Sequence, residues 1–203
     1  MSGPDPRAFY TQHIPEQWNR QLAAQEARGP EGSRVLEGMR AVDATIRVDV
    51  EGEDPLFLNI EAGRMTAGDR ASHAPFLTLL QDRATFAVLA AEAGDSALAM
   101  LGGLSGLAGE MRLTRARIDL LANVNGLVRF QVTGEKGFVL GTHFGSDPVP
   151  DEPQTSIAVD EQAYRDLRAG KLDPQSAFLD GKIRVEGDMQ LAMSLALAAI
   201  SPD

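Results

Sequence analysis

An internal repeat is the feature of this chain that most constrains its fold. When the chain is shifted so that Asp82 falls on Asp160, the residues that follow stay in register without a gap. Chance rarely aligns capping aspartates, glycines and aromatic positions in one frame, so the sequence predicts two copies of one structural unit. The matched positions pair Phe86 with Tyr164, Leu89 with Leu167, Asp95 with Asp173, Ala99 with Ala177, Leu101 with Leu179, Gly103 with Gly181, Gly109 with Gly187, Glu110 with Asp188, Met111 with Met189 and Leu113 with Leu191.

Each copy places strands before helices. In "ATIRVDVEG" the apolar residues Ile46, Val48 and Val50 alternate with charged ones, which is typical of a half-buried strand. The segments "LFLNIEAG", "GRMTAG" and "PFLTLLQ" continue the first copy, and "GLVRFQVTG", "GFVLGTHFG" and "TSIAV" form the second. Asp82 and Asp160 are well placed to cap the helices that follow. This order predicts an α+β fold in which an antiparallel sheet is covered by helices, built from two repeats with pseudo-twofold symmetry.

The predicted organisation has three parts. Residues 1–43 are expected to form an N-terminal lead-in and helices, with a loose start, a helix opened by Pro15 and a second one over 34–42. Residues 44–122 form the first, diverged unit, and residues 123–203 form the second. Trp18 is expected to anchor the first helix to the sheet.

Composition excludes several classes of function. The chain has 203 residues, no cysteine and a formal net charge of −10. The charge disfavours binding to nucleic acid or to an anionic membrane surface, and the lack of cysteine removes disulfides and thiolate sites. No stretch has the apolar length of a membrane span or a signal peptide, so we expect a mature, cytoplasmic protein with no stable membrane insertion.

No catalytic or metal constellation is recognisable. His13, His73 and His143 lie in separate segments without ligand spacing. The chain lacks the G-x-S-x-G motif of a nucleophile elbow, and "GGLSGLAG" lacks the Gly-Lys-Ser/Thr ending of a phosphate loop. The sequence therefore predicts no catalytic residue, no metal and no cofactor.

The last predicted helix, which begins after Asp188, is apolar on nearly every side. Such a helix is either buried on several sides or packs against something else. The matching helix of the first unit differs, because it carries Arg112, Arg115 and Arg117. Arg115 stands where Met193 stands and Arg117 where Leu195 stands. Those arginines could bind an anionic head group, although an ordinary solvated helix face is the preferred interpretation.

One ordered pattern near the C-terminus resembles the closing signature of the sterol-carrier-protein type-two family, the sterol-binding domain. It covers about residues 155–197, and the preceding hairpin agrees with the family in order. The residues that carry it are Tyr164, Leu167, Gly170, Asp173-Pro174-Gln175, Ala177-Phe178, Gly181-Lys182, Gly187-Asp188-Met189 and Leu191-Ala192-Met193. The first unit departs from the pattern at Glu92, Ser96, Ser105 and Leu107.

The resemblance implies a non-catalytic carrier of a sterol, fatty acid or acyl-CoA, held in an apolar tunnel between sheet and helices. It implies ligand contacts from Phe138, Leu140, Tyr164, Phe178, Met189, Ala192, Met193, Ala196 and Leu197. On this basis the second unit should hold the larger cavity, and a hydrophobic small molecule is the expected partner. Two alternatives stay open, namely a structural module with filled cavities that acts in interaction or homodimerisation and, less favoured, an enzyme that uses the tunnel.

Overall fold

Strands from both halves of the chain form one sheet. The structure is a computed structural model that describes residues 5–29, 33–93 and 113–200. Within these residues the strands follow each other across the sheet in the order β3-β2-β1-β4-β6-β5-β7-β8. Their bounds are β1 Ala44–Val50, β2 Leu56–Glu61, β3 Arg64–Gly68, β4 Pro75–Gln81, β5 Gly126–Thr133, β6 Phe138–Phe144, β7 Thr155–Asp160 and β8 Ile183–Gly187.

Most of the described helices that follow the N-terminal segment agree with the sequence-based expectation. Their bounds are α1 Pro6–Ala8, a π-helical turn Phe9–His13, α2 Ile14–Ala27, α3 Ser33–Arg40, α4 Arg83–Ala93, α5 Arg115–Ala122, α6 Glu161–Arg168, α7 Pro174–Leu179 and α8 Met189–Ile200. The predicted caps are present, since the Asp82 carboxylate accepts from the Thr85 amide and the Asp160 carboxylate from the Ala163 amide. None of the described helices combines the length and apolarity needed to cross a membrane.

The α+β class is confirmed, with one refinement in the sheet. Most neighbouring strands are antiparallel, but β1 pairs with β4 and β5 pairs with β7 in parallel. In both cases the later strand, β4 or β7, pairs with the first strand of the preceding hairpin, so the connecting chain crosses over that hairpin. The sheet is therefore mixed rather than purely antiparallel.

The expected pseudo-twofold symmetry is wrong for the strands. The set β2-β1-β4 is followed across the sheet by β6-β5-β7, in the same order and with the same strand directions. A twofold rotation would reverse the order of the strands, their direction, or both. The outer edge of β4 pairs instead with β6, so the second set is displaced along the sheet from the first.

The parallel strand pairs β1–β4 and β5–β7 have equivalent registers. Ile46 lies opposite Leu77 in the first set, and the corresponding positions, Val128 and Thr155, lie opposite each other in the second. A tandem duplication predicts this agreement, while the unit boundaries themselves stay a prediction. The repeat positions from Asp95 to Met111, including Gly103 and Gly109, lie outside the described residues.

The N-terminal segment is helical rather than a loose lead-in. The Asp5 carboxylate accepts from the Ala8 amide and Pro6 occupies the first turn, which together start α1. Tyr10 and Ile14 are then buried in the core. Trp18 is 2% exposed and its indole Nε1 donates to the Gly63 carbonyl at 2.7 Å, so it anchors the helix to the β2–β3 turn as expected.

One face of the sheet carries the core. The inward positions of the strands alternate with polar or half-buried ones, and they join apolar residues of the helices in a single cluster. Leu195 of α8 and Ile14 of α2 both belong to this cluster, so the core is continuous across the sheet.

Candidate functional site

The turn from β8 into α8 is fixed by backbone contacts. The Asp188 amide donates to the Gln154 carbonyl at 2.8 Å, and the Asp188 carboxylate accepts from the amides of Gln190 and Leu191. Gly187 has a φ of +93°, and a Cβ atom there would lie 2.1 Å from the Gln154 carbonyl oxygen. Only glycine fits this position, so the start of α8 is held close to the start of β7.

The α8 helix has one buried and one exposed apolar side. It contacts β7, β8 and α5, and its residues Leu191 and Leu195 are 7% and 0% exposed. Met189, Met193 and Leu197 are 44%, 60% and 60% exposed. These three residues are four positions apart and therefore lie on one side of the helix. We call them the outer row.

A second apolar surface lies on α7, which contacts β8. The Asp173 carboxylate caps this helix through the Ser176 amide and hydroxyl, and the hydrogen bond from that hydroxyl is the main reason why the pKa of Asp173 is lowered. Phe178 and Leu179 follow in the last turn and are 46% and 76% exposed. In the described part of the chain, the exposed large apolar side chains are these two, the outer row and Leu120.

The residues expected to contact a ligand fall into two groups. Phe138, Leu140, Tyr164 and Ala192 are buried in the core. The other five are exposed on α7 and α8, namely Phe178, Met189, Met193, Ala196 and Leu197. The nine residues as a single binding site, and a larger cavity in the second unit, stay predictions.

The buried group includes a residue that the sequence reasoning missed. Phe130 on β5 lies with its ring centroid 6.1 Å from that of Phe138 and 6.0 Å from that of Tyr164, and the last two rings meet edge to face at 5.4 Å. The guanidinium of Arg168 lies 5.7 Å from the Tyr164 ring centroid. The alternation of inward and outward residues along β5 could have identified Phe130, because this residue occupies an inward position opposite Leu140.

The arginines of α5 do not share one environment. Thr114 caps this helix, Arg115 is exposed and pairs with Asp119 at 2.9 Å, but Arg117 is only 7% exposed. The preferred interpretation as a solvated face is therefore wrong for Arg117. Leu195, the residue that the predicted repeat pairs with Arg117, is also buried.

A polar groove lies on the first half of the chain. Arg47 and Phe57, opposite each other on β1 and β2, form part of it. Its arginines are engaged, since Arg7 pairs with Asp69 at 2.5 Å and Arg47 with Asp49 at 2.8 Å. This groove shares no residue with the predicted ligand contacts and has too many charges to suit an aliphatic ligand.

These observations define a class of structure, namely an α+β domain that carries an exposed apolar row on the helix after its last strand. Residues 107–199, just under half of the chain, match the model of the SCP-2 sterol transfer family. This segment is therefore similar to that family.

Two named proteins are similar to part of the chain. Sterol carrier protein 2 of Rattus norvegicus is 31% identical over 103 residues, which cover 46% of this chain and 19% of the relative. Peroxisomal multifunctional enzyme A of Dictyostelium discoideum is 29% identical over 85 residues, which cover 38% of this chain and 19% of the relative. The chain thus spans only a minor part of both relatives.

Similar solved structures include the sterol carrier protein domain 2 of Helicoverpa armigera. It is 30% identical, with 42% of this chain and 77% of that chain covered and a TM-score of 0.31. The UbiJ-SCP2 ubiquinone synthesis protein is 12% identical, with 97% of this chain and 93% of that chain covered and a TM-score of 0.29.

Proposed function

We propose that this protein binds and transfers a hydrophobic small molecule of the sterol, fatty acid or acyl-CoA class without changing it chemically. The observation that carries the proposal is that the outer row lies within the segment that matches the SCP-2 sterol transfer family. The rat relative is by name a sterol carrier, which supports the same ligand class.

The chemistry of the outer row suits an aliphatic ligand. Two of its three side chains are methionines, which are flexible and polarizable and adapt to irregular apolar shapes. Burial of apolar surface contributes about 25 cal/mol per Å², so a ligand with few polar atoms could bind there without charged partners. Selectivity would then depend mainly on the shape of the surface that α7 and α8 present.

The polar residues of α8 itself support a non-catalytic role. The polar residues of α8 are Gln190 and Ser194, and the Ser194 hydroxyl donates to the Gln190 carbonyl. A serine without an adjacent general base is a weak nucleophile, so this surface supports binding rather than covalent chemistry.

Met193→Asp tests the proposal. Because Met193 is 60% exposed, the new carboxylate stays hydrated in the free protein and the fold should be unaffected. An apolar ligand that covered it would have to desolvate the charge, so we expect the dissociation constant of a fluorescent fatty acid or sterol to rise by tenfold or more, about 1.4 kcal/mol.

Thr66→Asp is the matched control, because it adds the same charge at an exposed position of β3 in the other half of the chain. It should bind the probes as the wild-type protein does. Native mass spectrometry of protein purified from its own host should also show a co-purifying lipid. If the wild-type protein binds neither probe and carries no lipid, the carrier function is wrong and the alternative of a structural or interaction module is favoured.

A further inference from the structure

The two edge strands of the sheet, β3 and β8, differ in how far other residues cover them. At the β3 edge, the side chain of Asn19 closes the strand, because its Nδ2 donates to the Met65 carbonyl at 2.9 Å and its Oδ1 accepts from the Met65 amide at 3.0 Å. Helix α2 lies against that strand. Covering of this kind is how proteins prevent an edge strand from pairing with another chain.

The β8 edge has no such cover among the described residues. The Asp188 amide donates to the Gln154 carbonyl, and this bond continues the β7–β8 ladder by one residue pair. Hydrogen-bonded pairs alternate in an antiparallel ladder, so Arg184 and Glu186 direct their backbone groups toward β7. The N–H and C=O groups of Ile183, Val185 and Gly187 therefore point away from the sheet.

The sequence of β8 is complementary to itself. If a second β8 lies antiparallel to the first with Val185 opposite Val185, the outward-pointing groups of the two strands pair with each other. Arg184 of each copy then lies opposite Glu186 of the other, on the same face of the sheet. Both side chains are exposed, so they are available for these two ion pairs. Opposite charges placed directly across a strand pair stabilise it, whereas like charges destabilise it.

We propose that the partner of this edge is a second copy of the same chain, and that the two β8 strands join in one continuous sheet. This dimer goes beyond the proposed carrier function and does not depend on it. Leu179, which is not among the expected ligand contacts, fits the same interpretation, because it belongs to α7, which contacts β8, and is 76% exposed.

Charge reversal tests the proposal in the full chain. Glu186→Arg places an arginine opposite Arg184 twice in each dimer, so two attractive pairs become two repulsive ones. We expect the dissociation constant measured by analytical ultracentrifugation to rise roughly tenfold or more. The double variant Arg184→Glu/Glu186→Arg restores both pairs and should dimerise like the wild-type protein. Arg129→Glu, at an exposed position of β5, should leave the dimer intact.

Hydrogen exchange identifies the edge itself. The amides of Ile183 and Val185 should be protected in a manner that depends on protein concentration, and Glu186→Arg should abolish that protection. A wild-type protein that stays monomeric, a Glu186→Arg variant that dimerises normally, or β8 amides that exchange equally at all concentrations would each overturn the proposal. Met193→Asp should retain the dimer, so a failure of lipid binding and a failure of dimerisation are observed separately.

Discussion

Tyr10 shows how a single buried hydroxyl joins the N-terminal helical segment to the sheet. The side chain is 1% exposed, its ring contacts Phe9 and Phe86, and its hydroxyl accepts from the Gln81 Nε2 at 2.5 Å. Burial raises the pKa of Tyr10 to about 12, because the phenolate would lose its hydration, and the hydrogen bond from Gln81 offsets only part of this effect.

This shift predicts a loss of stability at alkaline pH. The folded-state pKa lies above the unfolded-state value of about 10, so the contribution of Tyr10 is complete below pH 10 and is lost as the pH rises toward 12. Urea denaturation between pH 8 and 12 should show this decline in the wild-type protein. In Tyr10→Phe the decline should be smaller, with a cost of about 1–3 kcal/mol at neutral pH because the Gln81 amide loses its partner. Equal pH dependence in both proteins would contradict the assignment to Tyr10.

Among the elements, α8 shows where sequence reasoning reaches its limit. The strands were predicted because apolar and polar residues alternate along them, and the caps at Asp82, Asp160 and Asp188 were readable from residue type. A helix that is apolar on all sides has no periodicity that distinguishes its buried side. The exposure of Met193 beside the fully buried Leu195 therefore required the structure.

The start of the chain was missed for a related reason. Prolines and a glycine suggested a loose segment, whereas Asp5 followed by Pro6 is a helix start. The relation between the two strand sets could not be predicted either, because strand order depends on which edges meet, and the β4–β6 pairing joins residues that are distant in the sequence.

Truncation of a side chain should cost much more stability on one side of α8 than on the other. Leu195→Ala should lower the free energy of unfolding by about 2–5 kcal/mol, because the side chain is fully buried. Met193→Ala should change it by less than about 0.5 kcal/mol, since most of that side chain already contacts solvent. Urea denaturation of both variants measures the difference. A large loss in Met193→Ala would show that the outer row is covered in the free protein and is not an open ligand surface.

At the scale of the whole molecule, the central question is whether the halves fold together. The β4–β6 ladder joins them, with Leu77 opposite Phe144 and Leu79 opposite Thr142, and the core cluster includes residues on both sides of this junction. Removal of either half would leave a long sheet edge and its apolar face exposed to water. The chain should therefore unfold in one cooperative transition.

The position of the single tryptophan makes this cooperativity measurable. Trp18 reports only on the first half, because it packs on the β2–β3 turn. Leu195 lies in the second half, on a helix that contacts β7, β8 and α5. If the halves unfold together, Leu195→Ala must lower the thermal midpoint read by Trp18 fluorescence by as much as the midpoint read by far-UV circular dichroism. A variant whose Trp18 transition stays at the wild-type temperature while part of the dichroism is lost earlier would show that the halves unfold independently. The shared sheet would then be too weak to couple them, and the repeat would consist of two thermodynamic domains rather than one.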